Sequence, residues 1–343
     1  MKLCNQVDKR VLKERIANSN IKRTTISFYK YAKVGNPQVF RDHLYVNFEK
    51  LGVLGRIYVA HEGINAQISV PTDNLEAFRE FLDTITFLQG VRLNIAVQNA
   101  DDSFYKLAIK YRPKILADGL EDETFDVTDK GLHLNAVDFN KIIQQDNTVL
   151  IDMRNHYETE VGHFKGAITP DVDNFRDSLP FIEDTYLKGN EKKNVVMYCT
   201  GGIRCEKASA WFKHLGFDNV YQLEGGIIKY AHQIEEQGLE NMFVGKNFVF
   251  DERLEERISD DIIANCHTCG EPYDIHTNCA NVACNVLFIQ CPKCKEKLDN
   301  CCSEECKEIN ALPEEEQRAL RKGKKSKRNV FKKGRSEKLI YKK

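Results

Sequence analysis

The chain has 343 residues, of which 42% are hydrophobic and 29% charged, and carries a net charge of −1. That length exceeds one ordinary core, so two or three domains are expected; no stretch approaches the roughly 20 apolar residues of a membrane span. The first twenty residues are charged throughout and lack a secretory apolar core, so a cytoplasmic protein is expected, whose twelve cysteines serve as metal ligands or catalysts rather than disulfides.

Residues 1–20 read as a polar leader, helical in pattern. Residues 21–112 follow the order strand, helix, strand, strand, helix, strand. Residues 25–31 alternate as a strand, and 37–51 form an amphipathic helix with Pro37 in its first turn and Gly52 past its end. Residues 55–60 and 64–70 are strands joined at His61-Glu62-Gly63, a helix over 75–85 is capped by Thr72 or Asp73, and strands over 93–97 and 105–111 complete the unit. This is the ferredoxin-like α+β plan. It carries no aromatic RNA-binding signature, so it reads equally as a packing module. The His61-Glu62-Gly63-Ile64-Asn65 stretch is either a plain hairpin turn or part of a site.

Residues 113–131, with Pro113, Asp118-Gly119 and several acids, read as a linker. Residues 132–245 alternate strands and helices, which predicts an α/β domain with a parallel, doubly wound sheet. The strand over 148–152 ends at Asp152-Met153-Arg154. Asp152 and Arg154 are therefore expected at the carboxyl ends of the strands, where open α/β sheets place their sites, with Asp152 placed to hold a loop arginine or amide. Gly162 and Gly166 read as turn glycines and His163 as a turn histidine. The crossover runs through 175–188.

The apolar strand over 195–198 delivers Cys199. Thr200, Gly201, Gly202 and Ile203 form a tight loop, Arg204 follows, and a helix is expected over 206–215 with Gly216 past its end. Strand, loop and helix N-terminus aim backbone N–H groups and a positive dipole end at one point. A cysteine there is expected to be a thiolate at neutral pH, and Arg204 closes the cradle over an anionic group carried on its sulfur. The alternative is a buried, inert cysteine before an ordinary turn. A strand over 219–223, then Glu224-Gly225-Gly226-Ile227 and a helix to 236, closes the unit.

Residues 246–310 are cysteine-rich, with spacing Cys266-x2-Cys269, Cys279-x4-Cys284, Cys291-x2-Cys294 and Cys301-Cys302-x3-Cys306. Four ligand pairs at this spacing point to two structural Zn²⁺ sites. The expected arrangement is interleaved, Cys266, Cys269, Cys291 and Cys294 on one ion and Cys279, Cys284, Cys302 and Cys306 on the other. Cys301, His267 and His276 are candidate substitutes, and an iron–sulfur cluster is the alternative. Residues 311–343 form a basic tail, with 13 Lys/Arg against Glu337 alone over 318–343. Such a segment is expected to be disordered by itself. Lys322, Lys324, Lys325, Lys327, Arg328, Lys332, Lys333 and Arg335, interleaved with Val330 and Phe331, suit a phosphate backbone; a solubilising tail without a partner is the alternative.

The six-residue loop Cys199 to Arg204, of the form C-x-x-G-x-R, resembles the active-site loop of the rhodanese superfamily. The loop of the related cysteine phosphatases is one residue longer, which sizes this one for sulfur. Asp152-Met153-Arg154, then Gly162-His163-Phe164-Lys165-Gly166-Ala167, and Leu223-Glu224-Gly225-Gly226 are further rhodanese-like elements. Over residues 24–306 the chain resembles the rhodanese-related tRNA uridine hydroxylases, the TrhO family. The resemblance is carried by His61-Glu62-Gly63-Ile64-Asn65, Asp152-Met153-Arg154-Asn155, residues 160–167, residues 199–209 and the cysteine-rich segment. It implies oxygen-dependent conversion of the tRNA wobble uridine, position 34, to 5-hydroxyuridine, with Cys199 as the active-site cysteine. Molecular oxygen is then a co-substrate beside an unidentified electron donor, and the anticodon region of tRNA is the partner; no membrane and no protein partner is implied. The residues themselves contain no flavin motif, nicotinamide fingerprint or iron facial triad. Cys199 is expected either to attack uracil C6 or to carry a persulfide or sulfenic acid, with Cys205 as a resolving thiol or a buried structural residue. The alternative activity is a thiosulfate-type sulfurtransferase carrying a Cys199 persulfide.

Overall fold

The computed structural model describes residues 7–121, 124–189, 192–322 and 337–340. Helix α1 (Lys9–Ala17) is capped by Asp8, whose side chain accepts from Arg10 N. Then come β1 (Arg23–Tyr31), α2 (Pro37–Lys50), β2 (Leu54–Ala60), β3 (Gly63–Pro71), α3 (Leu75–Asp83), β4 (Asn94–Ile95) and β5 (Leu107–Tyr111). The sheet order is β4-β1-β3-β2-β5. Its first four strands are antiparallel, as the ferredoxin-like plan requires, and β5 adds to the edge of β2 in parallel. One face is apolar: Phe28 of β1 packs on Phe78 of α3, and Phe78 on Phe48 of α2. Strand alternation sends the intervening side chains to the other face. Ser27, Tyr29, Arg56, Tyr58, Asn65 and Gln67 share it.

Next are β6 (Leu132–Leu134), α4 (Ala136–Ile142), β7 (Thr148–Asp152), α5 (His156–Thr159), β8 (Gly162–Phe164), α6 (Phe175–Ile182), β9 (Asn194–Tyr198), α7 (Ile203–His214), β10 (Val220–Leu223) and α8 (Gly226–Gln237). The sheet β6-β10-β9-β7 is parallel. It is doubly wound: Val149, Ile151, Val195 and Met197 meet α6 and α7, whereas Leu150, Val196 and Tyr198 meet α4 and α8. Gly162 lies within β8 rather than in a turn, and Gly166 takes the turn with φ 74°. Helix α7 starts at Ile203, three residues earlier than the sequence pattern indicates, because Gly202 caps it in the left-handed region.

β11 (Phe243–Phe248) joins β8 to β12 (Glu255–Arg257), and β13 (His276–Asn278) pairs with β14 (Leu287–Ile289). Helices α9 (Pro292–Lys297), α10 (Glu304–Ala311) and α11 (Glu314–Arg321) follow. The expected disordered tail is therefore partly built. Residues 314–321 are helical, and Leu339, 4% exposed, packs against Cys279, Val286 and Phe288 while Lys338 pairs with Glu305 at 2.7 Å. Among the described residues, no helix is long and apolar enough to cross a membrane.

Candidate active site

β9 ends at Tyr198, and Cys199 follows with 1% exposure. The loop folds so that Gly202 N–H donates to Cys199 Sγ at 3.1 Å. Gly202 has φ 103°, and a Cβ there would stand 2.8 Å from Tyr29 Oη, so both the turn and the approach of β1 require glycine. The opposite support comes from α8. Ile227 and Ile228 N–H groups donate to the Cys199 and Thr200 carbonyls at 3.0 and 3.2 Å. A Cβ at Gly226 would meet Cys199 O at 2.4 Å.

Arg204 stands in the first turn of α7, and its guanidinium makes a bidentate pair with Glu158 at 2.7 and 2.8 Å, both residues buried. Glu158 lies on α5, so the arginine is fixed to a second element; breaking such a buried pair costs about 3–5 kcal/mol. Arg204 also donates to Thr200 Oγ1 at 3.4 Å and lies over the Phe250 ring at 5.9 Å. Burial alone would raise the Cys199 thiol. The Cys205 thiol, the Arg204 charge and the Gly202 and Cys205 backbone N–H groups outweigh it and lower the pKa to about 6. Cys199 is thus a thiolate at neutral pH. Cys205, fully buried beside it, is pushed up by burial and by its bond to Cys199.

Asp152, expected to hold a loop arginine or amide, holds Arg154 in the loop after β7, through three side-chain contacts of 2.7–3.1 Å and through the Arg154 backbone N–H at 2.9 Å. Arg154 also donates to Gly162 O at 2.6 Å. Both side chains are fully buried, and neither lines the cavity above Cys199. Glu158 takes Arg204, a pairing that only the packing of α5 against the loop reveals. Among the described residues, His163 Nδ1 donates to the Phe164 carbonyl at 3.1 Å.

The cavity above the thiolate has a volume of about 370 Å³. Its floor is the Cys199–Arg204 loop. Its roof is the polar face of the N-terminal sheet, and Phe175 and Phe250 contribute apolar wall. The two halves are clamped together around it. Asn94 donates to Gly201 O at 3.1 Å, Tyr29 to Glu206 at 3.2 Å, and Lys207 pairs with Glu62 at 2.8 Å and Asp118 at 3.4 Å. The His61–Asn65 turn therefore serves the interface: Glu62 takes Lys207 and the Ile115 N–H, and Asn65 Nδ2 donates to Ile115 O.

Cys266, Cys269, Cys291 and Cys294 converge in one group and Cys279, Cys284, Cys302 and Cys306 in a second, the four sulfurs of each within 4.8 Å of one another. Cys269–Cys291, Cys284–Cys302 and Cys302–Cys306 are each 3.7 Å apart. Four thiolates about 2.3 Å from a tetrahedral zinc would stand roughly 3.8 Å apart, so the donors fit that ion. Cys301 belongs to neither group. His267 is bonded to Glu160 at 2.7 Å and His276 to Glu255 at 3.3 Å, so neither histidine substitutes as a ligand. Of the basic residues expected to meet nucleic acid, Lys322 is exposed; Lys324, Lys325, Lys327, Arg328, Lys332, Lys333 and Arg335 lie outside the described residues.

Residues 23–115 match the family described as the UPF0176 acylphosphatase like domain, residues 135–233 the rhodanese-like domain, and residues 244–307 the rhodanase C-terminal family. Over 334 residues, the chain is 53% identical to the tRNA uridine(34) hydroxylase of Enterobacter sp. strain 638, covering 97% of this chain and 95% of that one. It is 50% identical to the protein of that name from Leptospira interrogans, covering 96% and 90%, and 54% identical to that of Cronobacter sakazakii, covering 97% and 95%.

Proposed function

Because the chain belongs to the tRNA uridine(34) hydroxylase family, we propose that its cavity receives the uridine at position 34 of tRNA and that Cys199 drives hydroxylation at C5. The enzyme is an oxidoreductase that modifies tRNA. The observation that carries the assignment of the site is a cysteine with pKa about 6 at the floor of a cavity roofed by polar side chains. A flipped base needs that combination, a reactive group below and hydrogen-bonding groups along its edge.

Molecular oxygen is the co-substrate, and a two-electron reductant from solution is required, since one oxygen atom enters the base and the other leaves as water. The Cys199 thiolate adds to uracil C6 and makes C5 a carbanion. Oxygen reduced by two electrons stands at the peroxide level. Its O–O bond breaks as the C5–O bond forms, and water departs. Loss of the C5 proton then expels the thiolate from C6 and restores the ring. Arg204, held by Glu158, keeps the sulfur anionic. The Asp152–Arg154 pair acts from behind the sheet by positioning the strand ends. In the alternative route the peroxide-level oxygen oxidises the Cys199 thiolate to a sulfenic acid and leaves as water, Cys205 condenses with it to a disulfide with loss of a second water, and a further two-electron reductant returns both thiols. Two structural zinc ions in the Cys4 groups brace the module. The basic residues of the tail, Lys322 among them, meet the phosphates of the tRNA anticodon region. A tRNA substrate supports a cytoplasmic location.

The test is nucleoside mass spectrometry on unmodified tRNA incubated with the protein and a reductant, in air and without oxygen. A uridine-plus-oxygen product formed only in air is expected. No product, with sulfur transfer from thiosulfate to cyanide intact, would replace this reading with a sulfurtransferase.

A further inference from the structure

The roof of the cavity is a registered grid. Across β1, β3 and β2, Ser27 stands opposite Gln67 and Gln67 opposite Arg56; in the next row Tyr29 stands opposite Asn65 and Asn65 opposite Tyr58. All six line the cavity. The amides are fixed in direction. Asn65 Nδ2 donates to Ile115 O at 3.2 Å, which turns Asn65 Oδ1 toward its neighbour, and Gln67 Nε2 donates to that oxygen at 3.1 Å. Gln67 Oε1 is then an acceptor whose orientation a backbone carbonyl dictates. On either side, Ser27 Oγ and Arg56 Nε are buried and make no hydrogen bond among the described residues. Arg56 itself is anchored through its Nη2, which donates to Phe250 O at 2.5 Å. Unpaired buried donors beside an oriented acceptor are costly unless a ligand completes them.

We propose that Gln67, flanked by Arg56 and Ser27, reads the Watson–Crick edge of the base above Cys199 and selects uracil over cytosine. The assignment rests on the reading of the cavity as the position-34 site. Uracil offers N3–H to Gln67 Oε1 and its carbonyl oxygens to the Arg56 and Ser27 donors. Cytosine reverses both polarities at N3 and at its exocyclic 4-position, setting acceptor against acceptor and donor against donor. Gln67 cannot flip to accommodate it, because the Ile115–Asn65 bond fixes the chain of amides. Tyr29 and Tyr58 in the neighbouring row, with Phe250, supply aromatic surface for the base.

The test uses anticodon stem-loops carrying uridine, cytidine or 3-methyluridine at position 34. Binding to the full-length Cys199→Ser protein separates recognition from turnover. The uridine loop is expected to bind roughly 10- to 100-fold tighter than the cytidine or 3-methyluridine loops, the range that leaving buried polar groups unpaired costs. Adding Gln67→Met, close in size, is expected to erase that ratio with an unchanged Tm. Equal affinity for uridine and 3-methyluridine loops, or a ratio that survives Gln67→Met, would overturn the proposal. If the ratio holds while the wild-type protein makes no hydroxylated product, base selection stands and the hydroxylase reading falls.

Discussion

Cys199→Ser is expected to lower product formation from the position-34 uridine by at least about 1,000-fold while leaving tRNA binding intact. The serine hydroxyl fits the same loop and can still accept from Gly202 N–H, so the fold has no reason to change. What disappears is the anion. The surroundings that bring the thiol to about 6 cannot ionise an alcohol near neutral pH. The same anion sets the pH dependence of the wild-type protein. Because the folded-state pKa is lowered, the thiolate is present above about 6 and is lost as pH falls through that value. Alkylation of Cys199 by iodoacetamide is expected to follow that single ionisation, with Arg204 charged throughout. A serine variant retaining a tenth of the activity would remove Cys199 from the chemistry.

Metal removal is expected to have the second-largest effect. Elemental analysis should find two zinc ions per chain, and a strong chelator should abolish the cooperative thermal transition of residues 262–307. Apart from small clusters around Val286, Phe288 and Ile289, little apolar core supports that region. Structural zinc contributes on the order of 10 kcal/mol in small modules, comparable to the whole stability of a domain. The loss should reach the active site through a short physical route. Cys266 precedes His267, His267 holds Glu160, and Glu160 ends the helix that carries Glu158, the partner of Arg204. The Cys199 alkylation midpoint should therefore rise after chelation. Iron in place of zinc, or an unchanged melting profile after metal removal, would contradict this account.

The site's local half was legible because its chemistry is written in consecutive residues. A strand, a cysteine, two glycines and an arginine before a helix can fold in few ways, and the cysteine spacing separates naturally into two interleaved sets. The partner of Arg204 was not legible, since Asp152 and Glu158 are both acids near strand ends and only the packing of α5 chooses between them. The roof was hidden for a different reason. Alternation in β1, β2 and β3 identifies Ser27, Arg56, Asn65 and Gln67 as sharing the polar face, but a polar face reads the same whether it meets water or another domain. The signal lay in Glu62 and Lys207, complementary charges 145 positions apart, which no pattern within one element connects. Leu339 was similarly obscured, because its seat is built by cysteines 33 to 60 positions earlier.

The most direct test is to place 4-thiouridine at position 34 of an anticodon stem-loop, irradiate its complex with the protein and identify the linked peptide. Linkage to residues 25–29, 65–67 or 199–204 is the predicted result, because those segments form the roof and floor of one cavity. Linkage confined to the basic tail or to the outer helices would contradict it and separate the tRNA site from Cys199.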